Sequence, residues 1–253
     1  MFKVLNSKWR TASEEADILA RLFKELGLSI GSRVLDLGCG NGRIAIHLAK
    51  RGYKVVGVDI SPAFIEDANR KTAEHGVAGR VEFVVGDALE VDRVLEGKKF
   101  DAVLIYWSSI LGYYVDSEAD LRTLTAVRRL VEGNGLLFIL QTASLDLTSL
   151  RSSLCGSGGF LSEIDEELTL VEWPRFHADK GVVENRWVFY RREGKDLKYI
   201  DELSFTMRVY ALNELVELAE RVGWRFIKAF SSLRSLEPYK PGLSPLNVVF
   251  KAA

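Results

Sequence analysis

Apolar and polar positions along the chain change their period as the sequence proceeds. Over 14–27, Ala16, Leu19, Ala20, Leu22, Phe23 and Leu26 recur at helical spacing and Gly27 supplies a stop, which predicts an amphipathic helix. Short unbroken apolar runs then alternate with helical ones. They predict strands at 32–37, 54–58, 81–85, 101–106 and 136–140, with helices at 44–52, 61–76 and 117–130 between them. Ser61 and Pro62 suit a helix cap and first turn. Strands separated by helices at this cadence predict crossover units and a parallel sheet, and continuous apolar runs predict strands covered on both faces.

The pattern changes after Gln141. Residues 142–160, rich in Ser, Thr, Leu and Gly, read as a loop or loose lid. From Glu167 to Arg208 the text alternates and is broken by "ADKG" and "REGKD", which predicts three strands in meander order. Leu212, Leu215, Val216, Leu218 and Ala219 restore a helix, and strands at 225–230 and 247–251 complete the main sheet. The expected fold is α/β: a doubly wound, seven-stranded, mostly parallel, Rossmann-like sheet with a three-stranded antiparallel insertion.

Composition narrows the setting. The 253 residues are 47% hydrophobic, enough for a core, and 34 Lys plus Arg against 35 Asp plus Glu leave a formal net charge of -1. That balance lacks the basic footprint of a protein that grips nucleic acid non-specifically. Cys39 and Cys155 make neither a disulfide framework nor a metal-ligand spacing. The start, "MFKVLNSKWRTASEEAD", has no apolar core of the signal-peptide kind, and no run approaches the roughly 20 residues that span a bilayer. The expectation is a cytoplasmic protein with no membrane partner and no metal.

The chemistry concentrates in "VLDLGCGNGRIAIHLAKRGYKVVGVDIS", residues 34–61. Gly38, Gly40 and Gly42 follow a strand and precede a helix, where positive φ and a missing Cβ let a ligand approach the backbone. A P-loop needs Gly-Lys-Ser/Thr, and here Gly42 is followed by Arg43-Ile44. The dinucleotide fingerprint wants its third glycine three places after the second, and here it falls after two. Asp36, two residues before the first glycine, would repel a pyrophosphate and suit a cationic ligand. Asp59, ending the next strand, is placed to accept two ribose hydroxyls. The pattern asks for a nucleoside with a zwitterionic tail and no phosphate.

This set resembles the cofactor core of the class I S-adenosylmethionine-dependent methyltransferases. Asp36, Gly38, Gly40 and Gly42 match the family's first motif, Asp59 its second, and Asp87 in "VEFVVGDALE" its third. The resemblance covers most of 29–141. It implies S-adenosyl-L-methionine as cofactor, with Gly38, Cys39 and Gly40 along the methionine part, Asp36 close by, Asp59 on the ribose and Ile60 and Ala88 flanking adenine. Asp87 would meet the adenine amino group and Tyr106 would face the sulfonium. Arg10, beside Trp9 ahead of the first helix, would close over the methionine carboxylate; alternatively Trp9 and Arg10 are an ordinary helix lead-in.

The implied activity is methyl transfer to a nitrogen or oxygen of a small molecule by a single domain, 1–253. Its parts would be a cofactor-binding core at 14–141, an insertion or lid at 160–209 and closing elements at 210–253. No Asn/Asp-Pro-Pro-aromatic segment follows the fourth strand, where Tyr106-Trp107-Ser108-Ser109 stands, so a nucleic-acid amine is disfavoured. Asp101 and Asp116 do not make a catechol-type metal site. Candidates for substrate contact are Trp107, Tyr113, Tyr114, Arg186 and Arg208, and for catalysis Tyr106, His177 and Tyr190. For each arginine a surface role is the plainer alternative, as it is for His177. An RNA acceptor and a non-catalytic binding scaffold are the competing readings.

Overall fold

The computed structural model describes residues 2–107, 110–156 and 158–253; Ser108 and Ser109 at the fourth-strand end lie outside them. Helices α1 (Phe2–Ser7) and α2 (Trp9–Glu25) lead into β1 (Arg33–Leu37), α3 (Arg43–Lys50), β2 (Lys54–Asp59), α4 (Pro62–Glu74) and β3 (Val81–Val85). Next come α5 (Val91–Val94), β4 (Phe100–Tyr106), α6 (Ser117–Arg129), β5 (Val131–Thr142) and α7 (Leu145–Cys155). Strands β6 (Phe160–Glu163), β7 (Leu168–His177), β8 (Val182–Glu193) and β9 (Asp196–Arg208) precede α8 (Leu212–Glu220), β10 (Trp224–Ala229) and β11 (Leu246–Ala252).

The seven-stranded sheet has the order β10-β11-β5-β4-β1-β2-β3. β1 pairs in parallel with both β2 and β4, while β11 runs antiparallel between β5 and β10. The chain therefore winds outward in both directions from β1, and a crevice opens at the carboxyl ends of β1 and β4. Alternate residues explain the unbroken apolar runs. Val34, Leu104 and Phe138 pack with Leu19, Phe23 and Ile46 on one face, and Leu35, Val103 and Ile139 pack with Leu124, Val127 and Trp224 on the other.

Several elements differ from expectation. The first long helix starts at Trp9, so Trp9 and Arg10 form its opening turn instead of a lead-in. Ala12 is fully buried there, a small residue whose role only tertiary packing reveals. The expected loop at 142–160 contains α7, capped by Ser144, whose hydroxyl accepts the Leu147 amide. Its Arg151 pairs with Glu172 and its Ser152 hydroxyl accepts the Phe176 amide, so β7 holds the helix. The insertion has four strands, β6-β7-β8-β9, because Phe160–Glu163 adds an edge strand too short to register as a pattern.

The insertion turns its apolar face inward. Leu168, Leu170 and Phe189 pack with Val4, and Trp107, Trp187, Ile200 and Leu203 close around them. Strand parity puts Arg186 and Tyr190 on the opposite face.

Candidate active site

The glycine turn follows β1 directly. Gly38, Gly40 and Gly42 all have positive φ, from 55° to 77°. Their reasons differ. A Cβ on Gly42 would lie 2.5 Å from Phe83 Cζ, so this glycine serves packing between α3 and β3. A Cβ on Gly40 would instead approach Leu5 Cδ1 at 3.3 Å, because α1 lies across the turn. Asn41 is fully buried and fastens that covering. Its Nδ2 donates to Asn6 Oδ1 (2.9 Å) and its Oδ1 accepts from Trp9 Nε1 (3.2 Å).

Asp36 is 2% exposed, and its Oδ2 makes no hydrogen bond with the rest of the protein. Burial pushes its carboxyl up to about 7, with nearby Arg43 opposing and Asp59 adding to the rise. Asp59 accepts the Gly40 amide at 2.8 Å and the Ser61 amide at 2.9 Å. Burial still raises its carboxyl, although both bonds favour the ionised form. Each Asp59 oxygen keeps lone-pair capacity for a hydroxyl. Ile60, 57% exposed, offers a bare apolar surface next to it. Asp87 caps the short turn Ala88–Glu90 through the Leu89 amide, and its other oxygen accepts the Tyr114 hydroxyl at 2.9 Å. Tyr113 sets its ring edge-on to Tyr114. The Cys39 side chain is buried in the core, leaving its backbone for the turn.

At the end of β4, Tyr106 and Trp107 sit against cations. Arg43 lies 5.4 Å from the Tyr106 ring centre and 5.7 Å from that of Trp107, and Lys8 Nζ is 5.3 Å from Trp107. Trp107 has φ 49°, an uncommon conformation for a bulky residue, at the mouth of the crevice. Burial, then the adjoining Glu15 carboxylate, raises the Tyr106 phenol, so it stays protonated across ordinary pH.

The other sequence candidates lie elsewhere. Arg186 pairs with Glu202 on the outward face, and Tyr190 stands edge-on to Tyr199 there. His177 is 3.1 Å from Glu184 at the tip of the β7–β8 hairpin. Arg208 lies over the Tyr210 ring at the foot of the insertion. Arg10 donates to the Ile164 carbonyl (3.4 Å) and lines a cavity of about 570 Å³ between α1 and the insertion, with Lys3, Arg191 and Glu167. Sequence reading missed Leu5, Glu15, Asn41 and Arg43. Only Arg43 carried any signal, as the residue that breaks the P-loop pattern. Among the described residues no cluster of metal-ligating side chains occurs and no helix is long and apolar enough to cross a membrane.

The donor set fits S-adenosylmethionine: a buried carboxylate oxygen awaiting a donor, a left-handed glycine turn directly after it, an acid ending β2 and another just beyond β3. Comparison with known proteins agrees. The profile of the methyltransferase domain matches residues 34–135. YqeM of Bacillus subtilis (strain 168), whose name assigns it provisionally to the methyltransferases, is 25% identical over 215 residues, 85% of this chain and 82% of that protein. A crystal structure of an S-adenosylmethionine-dependent methyltransferase from Clostridium acetobutylicum ATCC 824 superposes with a TM-score of 0.76 at 18% identity, covering 94% of this chain and 90% of that one. CalS10, an amino pentose methyltransferase from Micromonospora echinaspora, superposes at 0.70 with 17% identity, covering 100% and 97%. Residues 34–135 form a methyltransferase domain, and the chain as a whole has the fold of the class I S-adenosylmethionine-dependent methyltransferases, which favours an enzyme over the scaffold reading.

Proposed function

We propose that the enzyme methylates a nitrogen or oxygen of a small molecule held between the carboxyl end of β4 and the inward face of the insertion. The feature carrying this reading is the unpartnered, buried Oδ2 of Asp36 just ahead of the glycine turn, with Asp59 at the end of β2 and Asp87 just beyond β3. Bound S-adenosylmethionine supplies an activated methyl group on a sulfonium that departs as a neutral thioether. Asp36 and the Gly38–Gly40 backbone would hold its amino-acid end, Asp59 the ribose, and Ile60, Ala88 and Asp87 the base. Arg10, directed at the Ile164 carbonyl beside the insertion, is given no part in holding the methionine carboxylate.

The chain's own contribution is alignment and exclusion of water. Tyr106 and Trp107 present aromatic faces where positive charge is carried. The Tyr106 phenol keeps its proton, so it orients and does not abstract. Trp187, Phe205 and Leu203 form a dry roof through strand parity. CalS10, named for an amino pentose substrate, supports a small amine or hydroxyl as acceptor. An RNA acceptor finds less support, because Arg186, Arg192 and Lys198 on the insertion each pair with a glutamate.

Calorimetry with S-adenosylmethionine and S-adenosylhomocysteine, followed by transfer of labelled methyl to amine, alcohol and RNA panels, tests the reading. Micromolar binding with label on a small molecule is expected. Absence of binding at millimolar ligand, or label entering RNA alone, would refute it.

A further inference from the structure

We infer that Glu15, on α2, sets the net charge of the cofactor crevice, so that the cationic donor is held in preference to the product whose sulfur is neutral. The inference rests on the cofactor reading above.

Arg43 is 4% exposed and requires an anionic partner. Two carboxylates are within its reach. Glu15 Oε2 accepts Arg43 Nη1 at 2.5 Å, whereas Asp36 feels Arg43 only through its field and keeps Oδ2 without a partner. Glu15 is itself fixed, its Oε1 accepting the Thr11 hydroxyl at 2.6 Å one helical turn away, with the Tyr106 phenol directed at the same carboxylate. Arg43 in turn covers the Tyr106 and Trp107 rings. Thr11, Glu15, Arg43, Asp36 and Tyr106 thus form one connected group joining the N-terminal helix to the ends of β1 and β4.

Counting charges gives the consequence. Asp36 and Glu15 against Arg43 leave one surplus negative charge when Asp36 is ionised, with Asp59 and Lys8 the next charges outward. Without the Glu15 carboxylate, Arg43 has Asp36 as its remaining partner, and the pair sums to zero. S-adenosylmethionine and S-adenosylhomocysteine carry the same ammonium and carboxylate, and differ by the methyl and the positive charge on sulfur. The surplus negative charge acts on that difference. It retains the donor and lets the product leave. A unit charge on the order of 10 Å away in partly buried surroundings changes an affinity roughly 3- to 15-fold.

The test is titration calorimetry of both ligands against wild type, Glu15→Gln and Glu15→Asp, with thermal unfolding run in parallel. The readout is the ratio of the dissociation constant for S-adenosylmethionine to that for S-adenosylhomocysteine. We expect E15Q to raise the ratio about 5-fold and E15D to keep the wild-type ratio even if both ligands weaken. An ion pair that merely docked α2 would weaken both ligands equally and leave the ratio fixed in every variant. That result overturns the inference while the cofactor reading stands. Wild type that bound neither ligand would overturn both.

Discussion

Asp36 illustrates how a binding group burdens the empty protein. Its folded carboxyl titrates near 7 against an ordinary 3.8, so between those values the folded state holds the proton more tightly than the unfolded chain. The stability this gives is present at low pH and is lost as pH rises through about 7, where the carboxylate must ionise in a dry site. Asp36→Asn removes the burden. At pH 8 the variant should resist urea better than wild type by on the order of 2–4 kcal/mol, with the gain shrinking toward zero near pH 4. His47 works in the opposite sense. Burial, then Lys50 and Arg51, lower it to about 4, so its contribution falls as pH drops from 6.5 to 4. Taking the difference between wild type and D36N at each pH cancels that term. The same variant should bind S-adenosylmethionine at least about 10-fold more weakly, since a neutral amide cannot meet a cation as a carboxylate does. A variant that is no more stable at pH 8 would mean Asp36 is not burdened as described.

At the scale of elements, the glycine turn shows that a single motif can serve two ends. Gly42 is held by packing, with φ 77° and no room for a Cβ beside Phe83. Gly42→Ala should therefore cost about 2–4 kcal/mol in urea unfolding. Adding Phe83→Leu should return part of that cost, leaving about 1 kcal/mol of backbone strain; failure of the second change to recover anything would place the whole effect in the backbone. This turn, and the acids at the ends of β1, β2 and β3, were legible in the sequence because each position is fixed by its own strand and the next few residues. The helix α7 was not, since its Ser- and Thr-rich text has poor helical preference and is held by β7 through Arg151 and Ser152. Nor was β6, which exists only as a partner for β7. The Glu15–Arg43 pair joins two ordinary helical residues 28 positions apart, a proximity that no local pattern encodes. The inward direction of Trp187 likewise depended on register, which alternation alone leaves open.

For the whole molecule, the loop after β4 links the cofactor crevice to the insertion. Tyr114 reaches Asp87 on one side. On the other, the Gly112 carbonyl accepts the Arg208 amide at 2.9 Å, and the Gly112 amide donates to both oxygens of Asp120. Asp120 is buried and also accepts the Tyr210 hydroxyl, so the foot of the insertion is pinned where β9 ends. A Cβ on Gly112 would fall 2.0 Å from the Arg208 carbonyl oxygen, a contact that backbone must move to relieve. Gly112→Ala should therefore loosen the roof while leaving Asp36 and Asp59 in place. Amide exchange at 205–210 should accelerate at least about 10-fold, and methyl transfer should fall by a larger factor than S-adenosylhomocysteine affinity. The split is the informative part. If exchange at the end of β9 were unchanged, or if ligand affinity fell as steeply as turnover, the loop would belong to the cofactor site alone and would not couple it to the roof over the acceptor.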